Sequence, residues 1–301
     1  MRCNKHSFVL AIGLMLLSFG PRLHAQERHP YYGDPIQLNP EFTYQKVMHI
    51  DSDEKQSAQG GAAYGPWLFQ FYNAMPRVSV VNLEQRRVVQ EIPLEGKPTY
   101  HCNNANFGTE RYEADDAFPL LYVSMEHKQE HKCLVFRITG SAPGQWGMEL
   151  VQTITYPATH EGPMFYPNAV IDGEGGYLWL TGYHLENWHA SPVNRNLLWK
   201  FRLPSVKSGD VTLKATDALE RYSFPSMTAT QGALFRGGKL YQVFDIGPTT
   251  YLRVFDRNKI VTELRLHEAG LDTEPESLVY WNGDLYYVTV KRDVIRLSFP
   301  K

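Results

Sequence analysis

A carboxylate that enters an apolar strand, Glu276 in "EPESLVYW", has amide-bearing counterparts at four other strand entries: Gln59, Asn103 or Asn104, Asn168 and Gln231. Carried to one opening, four amides and a carboxylate could bind a cation such as Ca2+ through oxygen, or the hydroxyls of a sugar. They could equally satisfy one another, the backbone and channel water, since buried polar groups need partners. Glu276 is the sharpest of the five, because desolvation would raise its pKa toward the range of a general acid or base. A glycosidase needs a second carboxylate. Glu161 and Asp172 are candidates by position, while Glu274 reads as a surface residue of the turn.

Histidine is the other acid–base group. His101 just precedes one strand entry and His160 another, and neutral imidazole is an ordinary base or metal ligand. The catalytic candidates are therefore Glu276, His101 and His160, and the ligand-binding candidates Gln59, Asn104, Asn168, Gln231 and Trp188. Trp188, with Tyr72, Tyr166 and Tyr183, falls at a blade end or insertion where a ring could stack on a sugar. His184 and His189 read as exposed loop residues, and Trp67, Trp179, Trp199 and Trp281 as packing between sheets. "HKQEHKC" at 127–133 reads as a solvated hairpin turn, and no phosphate loop, HExxH or CxxC pair occurs.

These residues need a frame that points them at one place. Five segments repeat a polar entry, an apolar strand, a Gly or Asn turn and a second strand, starting near 59, 103, 168, 231 and 276. Gln59 to Leu68, Gln231 to Leu240 and Glu276 to Leu285 are each nine residues apart. Two further strand-like runs follow where the chain permits, and four strands per unit make the blade of a propeller. In the third unit the fourth run is "VTLKATDAL", and "TDALERY" at 216–222 is the one short helix candidate. The last unit has room for three strands before Lys301, so "EFTYQKVMHI", residues 41–50, is expected to supply its outer strand. The fold expected is all-β: a five-bladed β-propeller closed by an N-terminal strand, occupying residues 26–301. Insertions fall at 108–118, 140–147 and 183–195.

Residues 1–25 read as a signal peptide: Arg2 and Lys5, then the apolar run Ser7–Gly20, then a small residue, Ala25, before Gln26. The mature chain would be exported, to a periplasm or beyond the cell, with no membrane span. A formal net charge of −2 argues against nucleic acid as a partner. A monomer that meets a small molecule or an extracellular glycan is the expectation. Export makes a Cys102–Cys133 disulfide conceivable, whereas the strand assignment puts the two cysteines about two strand spacings apart, beyond bridging distance. The sequence leaves that pairing open.

"TQGALFRGGKLYQVF" and "EPESLVYWNGDLYYVTV" resemble blades of the gluconolactonase and glutamine-cyclotransferase type of propeller. The first type implies a channel metal held by Glu, Asn and Asp, for which Glu276 and Asn168 could stand, and six blades. The second implies five blades and a channel carboxylate, although outside "TQG" the chain departs from its blade motifs. Two functions stay open. One is a binding propeller, and the other is a hydrolase or lyase that uses a channel Glu and His, with or without a metal.

Overall fold

The computed structural model describes residues 33–52, 56–73, 77–94, 101–127, 130–156, 165–184, 194–225, 229–246 and 249–300. The expected signal peptide, His160, Glu161, Trp188 and His189 lie outside them. Strand β1 (Thr43–His49) stands ahead of the first blade, which is β2 (Ala58–Tyr64), β3 (Trp67–Tyr72), β4 (Arg77–Asn82) and β5 (Arg87–Pro93). The second blade is β6 (Asn104–Phe107), β7 (Leu121–His127), β8 (Glu130–Thr139) and β9 (Gly147–Thr155). β10 (Phe165–Asp172), β11 (Tyr177–His184) and β12 (Arg195–Arg202) open the third; after the two-residue β13 (Val211–Thr212), β14 (Glu220–Pro225) completes it. The fourth is β15 (Ala229–Arg236), β16 (Lys239–Ile246), β17 (Thr249–Asp256) and β18 (Lys259–Arg265). The fifth is β19 (Pro275–Trp281), β20 (Asp284–Thr289) and β21 (Asp293–Ser298).

The five sheets form a five-bladed β-propeller, and β1 closes the ring. It pairs antiparallel with β21, Thr43 opposite Ser298 and His49 opposite Asp293, so the fifth sheet has the order β1-β21-β20-β19. Phe42 packs on Phe299 beside this seam, with ring centroids 6.1 Å apart. A chain that starts at Asp51 would leave the backbone edge of β21 open to pairing with other molecules. It is expected to elute from size exclusion as oligomers or aggregate, and a monodisperse monomer of that chain would remove the closing role of β1.

Apolar side chains pack between the faces of neighbouring blades. Phe69, Phe107, Phe118 and Trp146 fill the interface of blades one and two. Val135, Leu180, Phe201, Phe244 and Phe255 continue the packing through blades three and four. Ile50, Val81, Val288 and Val294 join the fifth blade to the first. Each large side chain buried this way contributes about 1.5–3 kcal/mol. Among the described residues no α-helix occurs, only short 3-10 turns, and no helix is long and apolar enough to cross a membrane. The Gly237-Gly238 turn between β15 and β16 has φ of 53° and 73°, the left-handed pair that a tight hairpin requires.

The third blade departs from the expectation. "VTLKATDAL" is not its fourth strand: Val211 and Thr212 pair in parallel with Ile154 and Thr155 on the outer edge of the second blade. Gln152 holds this detour through the Ser205 and Gly209 carbonyls, and the Asp210 carboxylate accepts from the Thr153 amide at 2.7 Å. The outer strand is β14, so "TDALERY" is a 3-10 turn at Ala215–Asp217 leading into a strand. Cys102 and Cys133 are free buried thiols, and burial pushes each pKa up to about 12, which makes them unreactive.

Candidate functional site at the channel mouth

Gln59, Gln231 and Glu276 all sit in bulges at the entry of an inner strand. In β2, Gln59 and Gly60 lie between the pairs Ala58–Tyr72 and Gly61–Gln70. In β15, Gln231 and Gly232 lie between Thr230–Phe244 and Ala233–Gln242. In β19, Glu276 is the extra residue between Pro275–Thr289 and Ser277–Val288. A bulge leaves its residue out of the ladder and re-aims the side chain. Glutamines on the second strands brace two of them: Gln70 donates to the Gln59 carbonyl at 2.7 Å and Gln242 to the Gln231 carbonyl at 3.4 Å. The sequence reading missed both braces, although each stands eleven residues after the glutamine it supports.

The bulges bring Gln59, Gln231 and Glu276 to one cavity of about 200 Å3, lined also by His101, Asn103, Tyr183, Ala229, Thr230 and Glu274. Gln59 Nε2 donates to Glu276 Oε1 at 3.2 Å, and Gln231 Nε2 donates to Glu274 Oε1 at 2.8 Å. Glu274 is therefore no surface residue; burial raises its pKa, partly offset by the Gln231 bond. Burial also holds Glu276 well above the usual carboxylate range, and the nearby Glu274 and Asp245 push it further. Asp245, opposite Ala229 in the ladder, is pushed up to about 7 by burial and Glu274. His101 moves the other way, lowered by burial, and its φ of 38° is a left-handed conformation rare outside glycine. The mouth thus gathers carboxyl groups that favour their protons around an imidazole that favours its neutral form.

Polar atoms remain unmatched here. Gln59 Oε1, Thr230 Oγ1 and Asp245 Oδ1 are buried with no hydrogen-bond partner among the described residues. Below the cavity the axis is spanned by amides. Asn104 donates to the Ala169 carbonyl at 2.9 Å and accepts from the Ala233 amide at 3.0 Å, joining blades two, three and four. Asn106 does the same through the Ala233 carbonyl and the Ile171 amide. The inner strands can approach this closely because glycine stands at the contacts. A Cβ on Gly232 would lie 2.4 Å from Ser277 Cα, and one on Gly60 would lie 2.6 Å from Asn104 Cα.

Among the sequence candidates, Gln59, His101, Gln231 and Glu276 share the cavity, whereas Asn104 is taken up between blades and Asn103 lines the mouth in its place. Asn168 donates to the Gln231 carbonyl at 3.3 Å. Its ladder position matches Gly61 and Ala233, and the residue of its strand in register with Gln59 is Tyr166. Asp172 lies at the far end of β10, in the hairpin that leads to β11, and is not a second carboxylate for the mouth. Tyr72 is fully buried against Ser79 rather than presented for stacking. Among the described residues no three His, Cys, Asp or Glu side chains come together as metal ligands.

No protein-family model and no curated protein matches the chain. Among solved structures it is similar to a PQQ-bound aldose sugar dehydrogenase from Streptomyces coelicolor, at TM-score 0.49 and 10% identity over 88% of this chain and 99% of that one. It is similar to a glucose dehydrogenase, at TM-score 0.48 and 12% identity over 86% of this chain and 99% of that one. A virginiamycin B lyase from Staphylococcus aureus aligns at TM-score 0.45 and 12% identity, over 86% of this chain and all of the other.

Proposed function

We propose that the protein is an exported, monomeric propeller that binds a small polar molecule or an extracellular glycan in the cup at the channel mouth. The observation that carries this reading is the pair of unmatched acceptors, Gln59 Oε1 and Thr230 Oγ1, lining a cavity of about 200 Å3 beside Glu274 and Glu276. Hydroxyls donate to such acceptors and accept from protonated carboxyls, so a polyhydroxylated ligand matches the lining. Titration calorimetry with a panel of neutral monosaccharides and disaccharides tests it. Gln59→Leu and Glu276→Leu should each weaken the binding sugar about tenfold or more, the effect of leaving one or two buried hydrogen bonds unmade. Equal affinity in both variants would place the ligand elsewhere.

The opposite pKa shifts of Glu276 and His101 favour a second reading, a hydrolase or lyase in which Glu276 donates a proton and neutral His101 accepts one. Turnover of a bound sugar that disappears in Glu276→Gln while affinity is kept would establish that reading over simple binding.

A further inference from the structure

The cup at the channel mouth is acidic, and among the described residues nothing basic answers it. Glu274 and Glu276 line it, and Asp245 stands opposite Ala229, which lines it too. The Glu274 carbonyl accepts from the Val290 amide at 2.9 Å, which fixes the backbone that carries both glutamates. No Lys or Arg is among the described residues of the wall, and the imidazole there, His101, favours its neutral form. What acts on Glu276 is burial, Glu274, Asp245 and Gln59, and what acts on Asp245 is burial and Glu274. Neither has a guanidinium or an ammonium to offset its charge.

A second observation concerns hydrogen bonding rather than charge. Gln59 and Thr230, 5% and 3% exposed, line the cavity with Oε1 and Oγ1 unpartnered among the described residues, and Asp245 Oδ1 is in the same state. Gln59 and Gln231 each donate to Oε1 of a glutamate, so Oε2 of Glu276 and of Glu274 has no hydrogen bond among the described residues. The unmet groups are thus oxygens that can accept. An ammonium brings three donors, no acceptor and the opposite charge, whereas a hydroxyl brings one donor and needs a donor of its own. A cavity of about 200 Å3 is several times the ~30 Å3 share of one water, so a bare ammonium would leave most of it unfilled.

We infer that the mouth is selective for an amino sugar, its ammonium held between Glu274 and Glu276 and its hydroxyls on Gln59 and Thr230. The inference rests on the mouth being the binding site. The titratable groups that face the ligand are Glu274 and Glu276 at the start of β19, Asp245 near the end of β16, His101 ahead of β6 and Tyr183 on β11. An arriving ammonium favours ionised carboxyls and neutral imidazole, so binding releases protons and tightens from pH 5 to pH 7.

Titration calorimetry with glucosamine and galactosamine tests this, against glucose, galactose, N-acetylglucosamine and lysine, in buffers of different ionisation enthalpy. One of the amino sugars should bind at least about tenfold more tightly than its neutral counterpart, as charged hydrogen bonds exceed neutral ones, and should release protons. Glu276→Gln should weaken that amino sugar about tenfold or more and reduce the proton release, while any neutral sugar keeps its affinity. Neutral sugars that bind as tightly, and are lost in Gln59→Leu, would overturn the selectivity and leave the mouth as the site. Binding indifferent to Gln59→Leu would overturn the mouth as well. Lysine binding as tightly as the amino sugars, neither amino sugar binding at millimolar concentration, or Ca2+ alone binding in a manner abolished by Glu276→Gln would each overturn the assignment to an amino sugar.

Discussion

Gly232→Ala lowers the melting temperature by about 5–10 °C, as read by thermal and denaturant unfolding. The added Cβ would stand 2.4 Å from Ser277 Cα, 2.5 Å from its carbonyl carbon and 2.6 Å from the Leu278 amide nitrogen. All three are backbone atoms of β19, so no side chain can rotate aside, and relief requires moving the fourth blade from the fifth. Overpacking of this kind costs about 1–3 kcal/mol or more, and a kcal/mol shifts the midpoint of a chain of this size by about 2–4 °C. Gly238→Ala separates this collision from simple backbone strain. Its Cβ would meet nothing within 4 Å, but its φ of 73° disfavours alanine, so the cost is about 1–2 kcal/mol and stays local. Equal stability of Gly232→Ala and the parent would show that the inner strands do not pack as closely as described.

Glu276→Gln raises stability at pH 8 and flattens its dependence on pH. Glu276, Glu274 and Asp245 all hold their protons more tightly folded than unfolded, where carboxyls titrate near 4. Between about pH 4 and the folded pKa, about 7 for Asp245, the native state binds more protons, so stability falls as pH rises through that window. Acidification from pH 8 to pH 5 should therefore raise the parent's melting temperature by a few degrees. Buried His101 and His131, with lowered pKa values, oppose this at the acid end. The difference between parent and variant is thus the informative quantity. The substituted amide would keep a bond to Gln59 without a charge to desolvate, and the variant's advantage should shrink toward pH 5. A difference that does not change with pH would mean that Glu276 is not held protonated by its surroundings.

The ring and its closure could be read from the chain because they follow local rules. Nine-residue spacing from Gln59 to Leu68 and from Gln231 to Leu240 is the length of one bulged inner strand plus a hairpin turn, and "EFTYQKVMHI" alternates without a partner nearby. Residues whose role depends on register were harder to place. Asp245 ends the run "LYQVFD" like any polar strand terminus, and only its pairing with Ala229 carries it to the mouth. Glu274 looks like a turn residue until Gln231 is seen donating to it. Asn168 aligns with Gln231 by its polar entry, but the bulge at Tyr166 and Pro167 shifts it along the strand. The outer strand of the third blade escaped because Gln152 and Asp210, from different blades, divert the intervening chain.

The Asn104 and Asn106 amides that knit blades two, three and four across the axis make the cup a blind one. Solvent displaced by an arriving molecule must leave past it through the same aperture, and nothing can thread from one face of the ring to the other. A long polymer could offer this site only its terminus, so if the mouth reads a glycan it reads chain ends and not the middle of the chain.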